Sequence, residues 1–341
     1  MVQLTTPVTI LKSQTEALLG HLPRVFDGDV DGVHDARVAT RRVREVLPLT
    51  HEWHRTDIDD LSARFKRVGR ALGRVRDADV RIALLSYLEA HVSFAAPSLV
   101  VIRHERERKR LKAVRKLIKQ FEHLDVEHML HDVGRRCCRQ FQPWTTVLGS
   151  WRRQLGRTIA QRATAARDAI DHTTGVYFPN RSHSARIALK KFRYAAEIGE
   201  LTGMGTLEAS LRALKKGQEI LGDLHDRQAL VDKLPSLATP EHPDIASDHI
   251  RAVIQALEAE CRELHGKYVS RRSSLLDVCR QAEEGFTPAR AAAARVAGLT
   301  AGVVAVSTAA YVWRRLSQAS ESRSGEVAIR IPIDHDRRLV G

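Results

Sequence analysis

Two stretches of the sequence carry histidine and basic residues at helical spacing, and this pattern suits the binding of phosphate groups. In the first stretch, His34, Arg37, Arg41 and Arg44 recur every three or four residues, which places them on one face of a helix. Arg42 falls to the side of that face. Arginine presents a planar fork of N–H donors that pairs bidentately with phosphate oxygens. The spacing therefore predicts a row of guanidinium groups that binds an anion.

The second stretch repeats this row as His183, Arg186, Lys190 and Arg193, with Lys191 beside it. A row of charges is usually just a solvated helix face. Here, however, few acidic residues interleave, and like charges one helical turn apart repel each other by about 0.2–0.5 kcal/mol per pair. Because both stretches keep this unfavourable arrangement, we expect an external anion to occupy it.

The two stretches align at an offset of 149 residues (183 − 34 = 149). The segments 72–77 and 221–226 align at the same offset (221 − 72 = 149), and no gap is needed. Two separate matches at one offset indicate an internal duplication. We therefore predict a first repeat over residues 1–148 and a second over residues 149–285.

The elements that position these residues are predicted to be helices throughout, which gives an all-α fold. Apolar residues recur at helical spacing, and the breaks fall at clusters of Pro and Gly: residues 23–32, 95–97, 142–143, 175–180, 203–205 and 235–243. On the first basic helix the apolar face consists of Ala36, Ala39, Val43 and Leu47. Basic residues also recur on the next helix of each repeat, namely Arg64, Arg67, Arg70 and Arg74, then Arg212, Lys215 and Lys216.

The whole chain is strongly basic, with 55 Lys and Arg against 41 Asp and Glu and a formal charge of +14. This excess favours a polyanionic partner. Aromatic residues make up only 5% of the chain, which leaves few platforms on which the bases of a single-stranded nucleic acid could stack. RNA or another nucleic acid remains the alternative partner for the same basic surface.

At residues 33–44 and 72–80, and at their partners in the second repeat, the sequence resembles the CHAD family, the conserved histidine α-helical domain. The resemblance covers about residues 1–285. It implies two pseudo-symmetric four-helix bundles with a basic cavity between them. It also implies binding of inorganic polyphosphate and localisation to polyphosphate granules.

By position, the resemblance assigns the ligand-facing role to a set of histidines and basic residues from both repeats. One departure concerns the second repeat, where Asp223 and His225 replace Arg74 and Arg76. This difference puts an equal contribution of the two repeats in doubt. The expected polyphosphate-binding residues are His34, Arg37, Arg41, Arg42, Arg44, Arg67, Arg74, Arg76, His183, Arg186, Lys190, Lys191, Arg193, Lys215 and Lys216.

Other chemistry is less well supported by the sequence. His34 and His183 are surrounded by Arg, and cationic neighbours disfavour a bound metal ion. His123, His128 and His131 form a loose cluster that fits a solvated surface. No nucleophile motif, Gly-rich phosphate loop or triphosphatase strand of the kind that accompanies many CHAD relatives is found. We therefore predict no enzyme activity, no metal and no cofactor.

The cysteines and the two ends of the chain give expectations about location. The four cysteines form no C-x-x-C pair, and residues 1–22 do not resemble a secretory signal, which favours a reducing cytoplasm. Residues 296–313 carry no charge and are just long enough to span a bilayer. This apolar stretch predicts a helix over residues 290–315. The helix is either an inner-membrane anchor, a helix that packs on the second bundle, or a self-association helix. Residues 316–341 are predicted to be disordered.

Overall fold

The computed structural model describes residues 5–50, 55–139, 150–173, 176–205, 207–237 and 243–286. These residues form ten α-helices and three short 3-10 helices, and no strand occurs among them. The prediction of an all-α fold is confirmed. The predicted break at residues 142–143, the apolar helix over residues 290–315 and the tail over residues 316–341 lie outside the described residues.

The first half of the fold contains five helices connected in sequence. α2 packs on α1, α3 packs on α2, α4 packs on α3, and α5 returns to α1. Their bounds are α1 (Pro7–Phe26), α2 (Val30–Val46), α3 (Arg55–His91), α4 (Ala96–His123) and α5 (Val126–Arg139).

The second half repeats this order of packing, and its last helix, α10, returns to α6. Each half thus contains a fifth helix in addition to the four that were predicted. The bounds are α6 (Ser150–Asp171), α7 (Pro179–Leu201), α8 (Glu208–Val231), α9 (Ser247–Val269) and α10 (Arg272–Phe286).

The start of α2, the first basic helix, is set by residues of the preceding turn. Gly28 adopts a positive φ of 71°, a conformation that glycine takes without steric cost. Asp29 then caps the helix, since its Oδ1 accepts a hydrogen bond of 2.7 Å from the Gly32 amide. The carboxylate also lies at the positive end of the helix dipole.

The predicted break at Pro23 is wrong by one turn, because α1 continues to Phe26. A proline in a helix removes one backbone hydrogen bond. At Pro23 this loss falls in the last turn, where the neighbouring Leu22 and Val25 are buried. Their burial holds the chain in the helix for one more turn.

The apolar faces of the two basic helices lie in the core. In α2, Ala36, Ala39 and Val43 are buried, and Leu47 directly after it is buried as well. In α7 the corresponding buried residues are Ala185, Phe192 and Ala196. Small side chains at these positions let neighbouring helices approach closely. The basic faces are therefore left on the opposite side of each helix.

The two halves meet at several places, among them three pairs of α-helices. α2 contacts α7, α3 contacts α8, and α4 contacts α9. The C-terminal end of α3 and the start of α4 join α8, α9 and the segment after α8 in one apolar cluster, whose fully buried members include Leu88, Leu99, Leu234, Val253 and Leu257.

Within the described ranges, no single helix combines the length and the apolar composition needed to cross a membrane. The segments Arg55–His91 and Ser93–His123 meet these criteria only when they are taken together, and they join at a bend of 113°. Residues 296–313, the predicted membrane contact, lie outside the described residues.

Candidate functional site

A cleft of about 780 Å³ opens between α2 and α3 of the first half and α7 of the second half. Eight basic and two acidic side chains line it, a formal excess of six positive charges (8 − 2 = 6). The acidic residues are Glu45 and Asp77. The basic residues are Arg37, Arg41, Arg44, Arg70, Arg74, Arg162, Lys190 and Lys191.

Two glycines on α3 make room for the arginines of α2. A Cβ atom at Gly73 would lie 2.3 Å from Nη1 of Arg37, and one at Gly69 would lie 3.7 Å from Nη1 of Arg44. Gly69 and Gly73 are one turn apart, so they present a smooth strip of helix backbone to α2. The Arg37 guanidinium therefore lies directly against α3 in the wall of the cleft.

Arg41 connects the two halves at the wall of the cleft. Its Nη1 donates a hydrogen bond of 3.0 Å to Oη of Tyr194, and its guanidinium carbon lies 3.8 Å from the centre of the Tyr194 ring. The Glu197 carboxylate lies 3.6 Å from Arg41 and 3.4 Å from Arg193. Burial lowers the pKa of Arg41, while Tyr194 and Glu197 act in the opposite direction. Arg41 thus already has partners in α7.

Lys190 enters the cleft from α7 and lies among cations of both halves. Burial lowers the pKa of its amine to about 8, and the charges of Arg186, Arg37 and Arg41 act in the same direction. Asp77 on α3 opposes this shift. An anion in the cleft would favour the protonated amine for the same electrostatic reason.

Two basic residues of the cleft were absent from the expected set. Arg162 on α6 pairs with Glu45 at 2.5 Å and donates to the Lys191 carbonyl oxygen at 3.0 Å. No signal in the sequence marked it, because it precedes the second motif. Arg70 had a signal, since it lies one turn before Arg74 on the same helix. The structure places Arg70 in the cleft, whereas Arg67 lies outside it.

The expected residues divide between the cleft and other places. Arg37, Arg41, Arg44, Arg74, Lys190 and Lys191 line it. Among the others, His34 is exposed, Arg42 donates to Gln14 on α1 at 3.5 Å, and Lys216 pairs with Glu219 at 3.6 Å. The residues that do not line the cleft are His34, Arg42, Arg67, Arg76, His183, Arg186, Arg193, Lys215 and Lys216.

His183 lies in a separate pocket of about 260 Å³ between α7 and α8. Its Nδ1 is 3.2 Å from Nδ1 of His225. Burial lowers the pKa of His225 to about 4, and Arg186 and His183 act in the same direction. His225 of the second motif therefore lies beside His183, the motif histidine of the same half. No described residue of α8 lines the cleft.

Among the described residues, no group of three or more His, Cys, Asp or Glu side chains is placed to hold a metal ion. His128, from the loose histidine cluster, instead lies 3.2 Å from Asp132 on the exposed face of α5. The chemistry that the cleft offers is the binding of an anion with several negative charges, by charge-assisted hydrogen bonds.

Comparison with known proteins agrees with this fold. The family model described as the CHAD domain matches residues 9–235, more than half of the chain. A crystal structure of the CHAD domain from the plant Ricinus communis has a TM-score of 0.55 at 20% identity, over 80% of this chain and 92% of that chain. PptA from Streptomyces chartreusis has a TM-score of 0.48 at 16% identity, over 82% and 98% respectively. No curated protein gives a significant match.

Proposed function

The chain belongs to the CHAD domain family, and from this premise we propose that it binds inorganic polyphosphate in the cleft without catalysing a reaction. The observation that carries the proposal is the composition of the cleft wall, where eight basic side chains face two carboxylates. Each phosphate unit of the ligand would bring one negative charge and oxygens that accept hydrogen bonds from guanidinium groups.

Several cations of the cleft are available to such a ligand. Among the described residues, Arg37, Arg44, Arg70 and Lys191 form no ion pair with a carboxylate, and all four line the cleft. Their mutual repulsion opposes folding, and a bound polyanion relieves it. Binding through many such contacts is expected to weaken strongly as salt is added.

The cleft suits polyphosphate better than a nucleic acid. Tyr194 is the one aromatic residue in its described lining, and the Arg41 guanidinium already covers that ring at 3.8 Å. A single-stranded nucleic acid gains much of its affinity from bases that stack on free aromatic rings. Polyphosphate has no bases and needs only cations at short intervals.

The proposal contains no catalytic step. Of the two carboxylates in the cleft, Glu45 already has Arg162 as an ion-pair partner at 2.5 Å. Association with polyphosphate granules in the cytoplasm belongs to the same proposal. So does contact with the inner membrane through residues 296–313.

A binding experiment with matched variants tests the function and the site together. Calorimetry with polyphosphate would compare wild type, Arg37→Ala/Lys190→Ala in the cleft, and Arg67→Ala/Lys215→Ala at exposed positions outside it. Both double variants lose two positive charges. We expect the cleft variant to bind about tenfold or more weakly, since charged hydrogen bonds contribute about 1.5–3 kcal/mol each. The control should stay within about threefold, because exposed charges contribute little.

Two results would contradict the proposal. One is the absence of binding by the wild-type protein at low salt. The other is efficient displacement of polyphosphate by RNA at a matched phosphate concentration, which would favour the nucleic-acid alternative. Equal losses in the two double variants would instead show that the cleft is not the binding site.

A further inference from the structure

The solvent-exposed face of α4 carries a row of basic residues that lies outside the cleft. Arg108, Lys112 and Lys116 follow one another one turn apart, and Arg115 and Lys119 lie beside them. All five are exposed. None of them forms an ion pair with a described carboxylate, and the ion pairs of this helix are made by Arg103, His104, Lys109 and Arg110 instead.

The fold itself does not require this charge. α9 packs on α8 as α4 packs on α3, yet α9 carries three basic and four acidic residues where α4 carries nine Lys and Arg against three Glu. Two of the three exposed cations of α9 are paired, Arg251 with Asp248 at 3.1 Å and Lys267 with Glu263 at 2.5 Å. On α4 the like charges repel one another at one-turn spacing. An anion bound along the row would remove this repulsion.

The row begins at the edge of the cleft. Arg74, which lines the cleft, donates a hydrogen bond of 2.5 Å to Oε1 of Gln120 on α4. Gln120 follows Lys116 by one turn, so the two side chains share a helix face. From Arg108 to Gln120 the row extends for about 18 Å at 1.5 Å per residue. A chain that leaves the cleft over Arg74 therefore meets Lys116 and Lys119 next.

We propose that this row, the α4 track (Arg108, Lys112, Arg115, Lys116 and Lys119), binds the part of a long polyphosphate chain that extends beyond the cleft. The inference rests on the proposed function. The occupant must be flexible and must carry a charge on every unit, because the cations recur at every turn of the helix. A chain short enough to fit inside the cleft does not reach the track, so the protein should bind long chains more tightly than short ones.

The test uses two preparations of polyphosphate, one short enough to lie within the cleft and one several times longer than the track. The full-length protein would carry Lys112→Ala/Arg115→Ala/Lys116→Ala/Lys119→Ala. The matched control is Arg251→Ala/Arg262→Ala/Lys267→Ala/Arg280→Ala, which removes four exposed positive charges from α9 and α10. Circular dichroism would establish that both variants keep the wild-type helix content, as alanine favours helix.

For the α4 variant we expect affinity for the long chain to fall about tenfold or more, and affinity for the short chain to stay within about twofold. Since each lost phosphate contact reduces the slope of log K against log salt by about 0.7 for a single-stranded polyanion, that slope should fall by about 3 for the long chain only. The control variant should bind both chains within about threefold of wild type.

The outcomes separate the two proposals. Wild-type protein that binds neither chain overturns the proposed function. Suppose that wild type binds both chains. If the α4 variant then loses no affinity, loses it equally for both chains, or loses no more than the control, the proposal for the α4 track is wrong. The proposal for the cleft is unaffected by these results. An α4 variant that keeps its affinity for long polyphosphate but loses affinity for RNA would also overturn the track.

Discussion

The basic side chains of the cleft fall into two groups according to the partners that they already have. Arg41 and Arg162 contact Glu197 and Glu45 respectively, at 3.6 and 2.5 Å. They connect helices of different halves, so truncating them would disturb the protein as well as the ligand site. Arg37 and Arg44 lie against the glycines of α3 instead. Their guanidinium groups are therefore the better probes of ligand binding.

The position of Arg37 can be tested without removing its charge. In Gly73→Ala the new methyl group would lie 2.3 Å from Nη1 of Arg37, so the end of that flexible side chain must move. We expect polyphosphate affinity to fall about tenfold, because the displaced guanidinium would lose about one charged hydrogen bond to the ligand. Stability should change by less than about 1 kcal/mol, because alanine favours helix over glycine. Calorimetry and urea unfolding measure the two effects.

Gly222→Ala is the matched control, since Gly222 occupies the same motif position in the second half (73 + 149 = 222). Apart from its chain neighbours and the backbone of its own helix, no atom lies within 4 Å of a Cβ placed there. It should stabilise the protein by up to about 1 kcal/mol and leave binding unchanged. Wild-type affinity in Gly73→Ala would mean that the placement of Arg37 against α3 does not matter for the ligand.

At the scale of the elements, contacts join the turn before each basic helix to the third helix of the same half. These contacts use positions that are equivalent in the two halves. Asp79 on α3 pairs with Arg110 on α4, and Arg110 donates to the Gly28 carbonyl oxygen at 2.6 Å. Gln228 on α8 accepts a hydrogen bond of 2.9 Å from Tyr177. Both correspondences have the offset of the predicted duplication (28 + 149 = 177 and 79 + 149 = 228). The two halves thus make a contact at the same position. In the first half the contact is an ion pair, and in the second half it is a neutral hydrogen bond.

This difference predicts unequal effects on stability. Asp79→Asn leaves the Arg110 cation without its counter-charge at a site where the Asp79 side chain is only 2% exposed. We expect a loss of about 3 kcal/mol in the free energy of unfolding. Gln228→Ala removes one neutral hydrogen bond and should lose about 1 kcal/mol. Urea denaturation of both variants measures the two values, and equal losses would contradict the larger contribution of the Asp79–Arg110 ion pair.

At the scale of the whole molecule, the cleft exists because the two halves dock. The apolar cluster that includes Leu88, Leu99, Leu234 and Leu257 joins them at one end, and α2 meets α7 at the basic faces. Lys190 of the second half is thereby brought next to Arg37 and Arg41 of the first. The charge state of this amine is a property of the docked molecule and not of α7 alone.

Docking therefore predicts a pH dependence of binding. The pKa of Lys190 is lowered to about 8 in the free protein, and a polyanion favours the protonated amine. Binding should take up a proton above pH 8, so affinity should fall as the pH rises from about 8 to about 10, by at most about tenfold per pH unit for one proton. The free protein should gain stability over the same window, because the unfolded chain holds this proton until its ordinary pKa is passed.

Calorimetry in buffers of different ionisation enthalpy measures the proton uptake directly. Lys190→Arg keeps the positive charge over the whole window, so its affinity should change less with pH than that of wild type. Lys191→Arg alters an exposed neighbour in the same cleft and should keep the wild-type pH profile. If Lys190→Arg and wild type show the same pH profile, Lys190 is not the group that titrates.

The sequence by itself determined the features that depend on local periodicity. Hydrophobic residues at helical spacing predicted the all-α fold, and they also identified the buried face of α2 through Ala36, Ala39 and Val43. The same helical spacing predicted the row of basic residues on α2 and on α7. The residues of the two motifs carried the family resemblance, which the match over residues 9–235 confirms.

Only the tertiary structure decided which cations share a site. Helix periodicity says which face a residue lies on, but it does not say what that face meets. Arg41 meets Tyr194, 153 residues away, and Arg162 enters the cleft from a helix without a motif. The two motif histidines, equivalent in the sequence, lie one on the exposed surface and one in a separate pocket. The contacts of Arg41 and Arg162 arise from the docking of the halves, and the pocket of His183 arises from the packing of α7 against α8. In both cases the distances between helices depend on tertiary packing and not on local spacing.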